Sequence, residues 1–455
     1  MNLFVLAFLL LILMMAAYLV HDSDALTPSV LFCLGFFICA AFAMSNASSW
    51  NYEASNMVVI TIALSVALFV GICWFIHLIM GRSKKSTGGE KGWVLPVSRP
   101  ALIVFIVLQV IVFFWSLHAI SQLYPAGDPL KSISLYDQAN KFSDEGATPL
   151  PFPLGPLRGL CTAIGYYVCY LVGQSFGRGT DGEEKPLLLA NLVVAILVSF
   201  ESGGRTTAVS YLIYCFIAGL MVRRQWRSTR TSIPFKVFLF ALVAFIVIIA
   251  TFQIALGLMG RSSTTSYWDY ICMYVGAEIP NLDYFLSHFH NASHIFGYMT
   301  FYTSINWIGD HFGIANFVYQ LDLPFRYANG VLMGNVYTTL YAFYYDFGWP
   351  GIPVLTAIMA FVSQWVYERA SRFDHGHNSC IWVILYMLAA NTLIMSFFSN
   401  KFFEAFLCIG LLRNLIYISV VHLFYLWVTA ALHKEVVSRR CRGTLIRKPN
   451  RWPAR

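Results

Sequence analysis

Asn2-Leu-Phe-Val-Leu-Ala-Phe-Leu-Leu-Leu-Ile-Leu-Met-Met-Ala-Ala-Tyr-Leu-Val20 carries no charged side chain. At about 1.5 Å per helical residue it is long enough for a hydrocarbon core of roughly 30 Å. No Lys or Arg precedes it and no small-residue cleavage site follows, so it is expected to be a retained helix and not a signal peptide. Comparable apolar runs recur near 27–44, 57–80, 100–120, 157–173, 186–200, 206–222, 236–258, 349–367, 379–396 and 407–431. Of the 455 residues, 58% are hydrophobic and 11% charged, which belongs to the membrane class and makes counting soluble domains by length meaningless. The sequence predicts an all-α polytopic membrane protein with about eleven transmembrane helices, ten to twelve allowing for boundaries.

Basic residues set the orientation, because Lys and Arg resist translocation while Asp and Glu hardly matter. One set of connections holds 22 of the 30 Lys and Arg, including Arg82 to Arg99, Arg223 to Lys236 and the tail from Lys434 to Arg455. The alternate set holds only Lys131, Lys141, Arg158, Arg205, Arg261, Arg326, Lys401 and Arg413. The expected topology has an outward N-terminus, a basic cytoplasmic tail and two external segments, about 121–156 and 261–348. Four regions follow: a bundle of about eight helices over 1–260, an external loop with interfacial helices over 261–348, further spans over 349–431, and the tail over 432–455. The net charge of +8 is then a topology signal, and nucleic acid is not an expected partner. Membrane lipid is.

Ten cysteines form no metal spacing and no disulfide framework, and only Cys272 falls in the large external loop. His290 and His294 have the i, i+4 spacing of a metal face but lack a third ligand nearby. No metal and no cofactor is expected. Heptads, solenoid repeats and matched broken spans are all missing.

Arg205 in Glu201-Ser-Gly-Gly-Arg-Thr-Thr207 and Arg261 in Gly257-Leu-Met-Gly-Arg-Ser-Ser263 sit at outer span ends, on the side the other cations avoid. Such an arginine snorkels to the interface or meets an anion at headgroup level. Gly203 and Gly204 would let backbone amides approach that anion, and Thr206 adds a hydroxyl at a helix start. The segment 261–348 is rich in Tyr, Phe and Trp, from Tyr267 and Trp268 through Trp307, too many to expose in a soluble loop. It reads as amphipathic helices on the outer leaflet, whose rings anchor at the interface or present faces to sugars.

Three stretches carry a resemblance. Gly334-Asn-Val-Tyr-Thr-Thr339 leads into Tyr344-Tyr-Asp-Phe-Gly-Trp-Pro-Gly351, Ser202-Gly-Gly-Arg-Thr206 lies mid-chain, and Tyr274-Val-Gly-Ala-Glu-Ile-Pro-Asn-Leu-Asp283 lies between them. Over roughly 190–360 the chain resembles the O-antigen polymerases (Wzy-type) of Gram-negative bacteria, which join oligosaccharide repeat units. The resemblance implies a fold related to the GT-C membrane glycosyltransferases. It also implies inverting transfer of a glycan from undecaprenyl diphosphate to another lipid-linked unit, at the periplasmic face of the inner membrane, beside a separate chain-length regulator.

On this reading Arg205 and Arg261 clamp the departing diphosphate, guanidinium groups being permanently charged and bidentate. Arg326 is a third clamp. A base must take or orient the acceptor proton; Asp346 and His294 are the expected residues, among candidates that include Glu201, Asp283, His288, His290, Asp310 and His311. Asp346 would otherwise cap a helix start. Arg326, Gly203, Gly204, Thr206, Asn335, Tyr337 and Thr338 are expected to hold substrate. Asp22-Ser-Asp24 looks like a metal-and-acid pair, but falls on the cytoplasmic side and reads as a helix-linking turn. Two other functions share these features: an O-antigen ligase, and a lipid-linked glycan flippase or transporter, which Arg158 and Arg413 in or near spans would suit.

Overall fold

The computed structural model describes residues 1–81, 95–142, 148–178, 184–202, 206–227, 267–288, 295–319, 321, 323–372 and 379–445. It is helical nearly throughout: α1 Asn2–Val20, α2 Pro28–Asn46, α3 Asn56–Met80, α4 Arg99–Leu123, α5 Pro129–Phe142, α6 Leu154–Arg178, α7 Lys185–Ser199, α8 Thr206–Arg227, α9 Tyr267–Gly276, α10 Glu278–His288, α11 Tyr302–Phe312, α12 Thr339–Ala370, α13 Ser379–Ile394 and α14 Ile409–Leu445. Local chemistry sets several starts. Pro28 occupies the first turn of α2, where its missing amide costs nothing, and the Ser55 hydroxyl caps the Val58 amide of α3 at 3.2 Å.

Among the described residues, eight helices are long and apolar enough to cross a membrane, and they coincide with eight of the expected runs. The run at 157–173 lies within α6, 25 residues long, with Arg158 in its first turns and Arg178 at its end. That at 186–200 is α7, only 15 residues. The run at 236–258 lies outside the described residues. The molecule is a helical, multi-span membrane protein.

Small residues bring the backbones together. A Cβ on Gly173 would lie 2.6 Å from the Gly219 amide, and one on Gly177 2.5 Å from the Gly219 carbonyl, so α6 and α8 meet in parallel with almost no side chain between them. Contacts at helix ends sort the bundle into two. At the upper end, Asn46 bonds Asp269 at 3.2 Å, Asp283 meets the start of α3, and Thr339 meets Asn400 at 3.3 Å. At the lower end, His77 meets Glu368 and Arg224 meets Asp24.

The segment read as helical between 261 and 348 holds α9, α10 and α11 but also an antiparallel hairpin, β1 Arg326–Ala328 with β2 Val331–Gly334. Its turn, Asn329-Gly330, has φ +49° and +73°, the left-handed pair that a two-residue hairpin needs and that Asn-Gly adopts cheaply. Helix α12 starts at Thr339 and is broken at Gly348, φ +62° and ψ −154°, where the apolar span was expected to begin. Gly351 then packs against the Phe343 carbonyl, 2.4 Å from where a Cβ would sit.

Candidate functional site

The upper end is built on the turn between α2 and α3. Asp283 of α10 accepts from the Tyr52 hydroxyl at 2.8 Å, from the Ser55 amide at 2.9 Å and from the Ser55 hydroxyl. Burial, reinforced by the Asp283 charge, pushes the Tyr52 phenol up, so it stays a neutral donor. One carboxylate thereby ties α10 to the α2–α3 turn.

Arg326 of β1 lies against this anchor. Its guanidinium stacks 3.6 Å over the Tyr284 ring and donates to the Pro280 carbonyl at 3.1 Å. The other ring stacked on Tyr284 is His288, centroids 4.2 Å apart. Between the α2–α3 turn, α10 and the hairpin is a cavity of about 410 Å³ lined by Asn51, Asp283, Ser287, Arg326, Tyr327 and Asn329 among others. Asn281, fully buried, donates to the Met333 and Val336 carbonyls at 3.1 and 2.9 Å, and so fixes the path of the Gly334–Thr338 element. Of the expected substrate residues there, Asn335 is half-buried. The Tyr337 hydroxyl donates to the Pro324 carbonyl, and Thr338, buried at the start of α12, leaves its hydroxyl without a partner among the described residues.

Aromatic packing continues from this cavity. Tyr337 and Tyr341 stand 4.4 Å apart, Tyr341 and Phe285 4.2 Å, and Tyr298 and Tyr319 4.2 Å. Many rings of the 261–348 segment thus pack on each other, which offsets the cost of so much apolar content outside a span. Beyond them Asp346 accepts from the Met299 amide through both oxygens at 3.1 Å and from the Thr300 amide at 2.6 Å. It pins the turn over 297–301 to α12. Asp310 and His311 are exposed on α11, with the His311 ring on Trp307.

A second focus lies at the same end. Arg158, in the first turns of α6, pairs with Glu201 at 3.1 Å and stands 5.9 Å from the Tyr136 ring of α5. Glu201 is fully buried just past α7, and burial pushes its carboxyl up to about 7, against the pull of Arg158. The described chain continues to Ser202 and resumes at Thr206, the first residue of α8. Gly203, Gly204, Arg205, Arg261, His290 and His294 lie outside the described residues, as does the Thr206 side chain. Arg413 is exposed near the start of α14.

Two features escaped the sequence reading. Glu278, 1% exposed, faces the Cys39 thiol at 3.8 Å, and burial holds its carboxyl well above the usual range. At the lower end, His77 bridges Glu368 at 2.7 Å and Asp22 at 3.5 Å, Gln364 donates to Glu368 at 3.0 Å, and Asp24 takes both Arg224 and the Tyr367 hydroxyl. Asp22 and Ser23 have φ +62° and +61°. The available signal was that Arg224, Glu368 and His77 are ionisable residues in or beside apolar runs, all at one end. Among the described residues no group of three or more His, Cys, Asp and Glu could hold a metal.

The upper end therefore offers a fixed guanidinium over an open cavity, a buried carboxyl–guanidinium pair and a belt of aromatic rings, all on a multi-span helical bundle. No protein-family model matches the chain, and neither a curated protein nor a solved structure does.

Proposed function

We propose that this protein polymerises lipid-linked oligosaccharide repeat units in the manner of the Wzy-type O-antigen polymerases. One observation carries the reading: the described flank of one stretch behind the resemblance stands at the same end of the bundle as another of those stretches. Glu201, which leads Ser202-Gly-Gly-Arg-Thr206, is buried on Arg158 there, and the Gly334–Thr338 element is held there by Asn281 beside the Arg326 cavity.

In the proposed reaction, the anomeric carbon of a growing glycan leaves the undecaprenyl diphosphate oxygen and bonds to a hydroxyl of the incoming unit's non-reducing-end sugar, with inversion. The diphosphate departs on its lipid with the bonding electrons, and the hydroxyl proton goes to a base. Arg205 and Arg261 hold the developing charge. His294 takes the proton, and Asp346 positions the turn that follows it by holding the Met299 and Thr300 amides. The chain runs from Arg224 at the lower end to Asp269 at the upper end, which supports a further crossing by the run 236–258 and a total of eleven spans. With the upper end periplasmic, the protein sits in the bacterial inner membrane in a GT-C-like arrangement and meets a chain-length regulator. Arg158 paired to Glu201 and Arg413 exposed near the upper end give a flippase reading little support.

The test is the glycolipid ladder of a deletion strain. Core plus a single repeat, with the long ladder lost, is expected. Core alone with polymer accumulating on the carrier would make the protein a ligase, repeat units trapped at the cytoplasmic face a flippase, and an unchanged ladder would remove it from the pathway.

A further inference from the structure

We infer that the Arg326 cavity is a sugar-ring site, taking an uncharged pyranose and not a diphosphate. That the sugar belongs to a lipid-linked glycan rests on the function proposed above; the chemistry of the cavity does not. Charge comes first. Arg326 is balanced by Asp283 in the same lining, so the site has no excess positive charge to offset a diphosphate. Its guanidinium is also fixed in place, between the Tyr284 ring and the Pro280 carbonyl, with the His288 ring stacked on the same tyrosine. Of its five N–H donors one is used on that carbonyl, and Asp283, already accepting from Tyr52 and Ser55, has one of about four acceptor places left. Several donors beside a single acceptor suit the hydroxyl groups of a sugar ring.

The walls agree. Tyr327 is 66% exposed and offers a face for the polarised C–H groups of a pyranose. Asn51, Asn329 and Ser287 supply neutral polar groups around the cavity. Its 410 Å³ lies within the ~300–1,000 Å³ of small-molecule sites. Arg326, read from sequence as a third diphosphate clamp, is thereby reassigned to the glycan.

The experiment is saturation-transfer NMR on the purified full-length protein in detergent, with the methyl glycosides of glucose, galactose, mannose and N-acetylglucosamine as probes. At least one should receive saturation. Tyr327→Ala and Arg326→Lys should each weaken its binding about tenfold, the first by removing the ring face and the second by losing the planar fork. Tyr327 is exposed, so its replacement leaves the fold intact. An equal concentration of inorganic pyrophosphate should not displace the sugar. Silence from all four glycosides, binding indifferent to both substitutions, or displacement by pyrophosphate would overturn the assignment. Because no carrier lipid or host strain enters the measurement, sugar binding with a normal ladder would sink only the pathway, and a lost ladder without sugar binding only the site.

Discussion

Arg205 and Arg261 stand out because 22 of the other 28 Lys and Arg of the chain fall on the opposite side of the expected topology. If they stabilise a departing diphosphate, replacing either by Ala should cut polymer formation by about 10²–10³ in rate. Lys should rescue poorly, since a point charge lacks the bidentate fork. Wild-type ladders from both Ala variants would make them interfacial anchors. The matched control belongs in the basic tail, at Arg439 or Arg440, because Arg224 is held by Asp24 and Tyr367 and is no neutral surface cation. Glu201 gives a pH test. Its carboxyl is raised from 4.5 to about 7 in the fold, so the protonated form is the one the fold favours: the stabilisation is complete below 4.5 and is lost as pH rises through 7. Melting temperature of the purified protein should therefore fall across that window, and Glu201→Gln should flatten the slope. An identical slope in the variant would mean that Glu201 ionises as it would in water. Removing Arg158 takes away the main pull that lowers the Glu201 carboxyl, so Arg158→Ala should shift the fall in melting temperature to higher pH.

Helix contacts make sharper demands than residue identities. Gly177→Ala places a Cβ against the Gly219 carbonyl of α8 and should cause early aggregation on size-exclusion chromatography, with a loss of about 1–3 kcal/mol. Gly71→Ala in α3 meets nothing within 4 Å and should be neutral or stabilising. Equal behaviour of the two would contradict the α6–α8 packing. Most helices were legible because a run of apolar residues long enough to cross a bilayer has few other ways to satisfy its backbone. The hairpin was not. Its strands are three and four residues long, too short for an alternation to emerge, and aromatic content had already suggested interfacial helices. Asn329-Gly330 was the available signal. Of the expected substrate residues, Arg326 and Tyr337 lie close enough to influence each other, since the hairpin and the helix start are near in sequence; that Tyr52, Ser55 and Asp283 would form the anchor beside Arg326 could not be read, because the contact joins residues some 230 apart in the chain.

Over the whole molecule the two ends differ in character: a cavity with aromatic belts above, and below a network of Asp22, Asp24, His77, Arg224, Tyr367 and Glu368 tying α3, α8 and α12 to the α1–α2 turn. Asp24→Ala should cost about 3 kcal/mol or more by stranding Arg224 and Tyr367, while Asp22→Asn, at a half-exposed site 3.5 Å from His77, should cost under about 1 kcal/mol. Thermal unfolding of both variants compares them directly. Such a network is invisible to periodicity because each member looks like an isolated polar residue at a span end. The central claim is that the upper end joins lipid-linked repeat units to one another. Its most direct test supplies purified protein in nanodiscs with undecaprenyl-diphosphate-linked repeat unit as the sole substrate and follows the products by mass spectrometry. Elongated lipid-linked oligomers with one undecaprenyl diphosphate released per new glycosidic bond, lost in the Arg205→Ala protein, are the expected result; no elongation, or transfer only when lipid A core is added as acceptor, would contradict it.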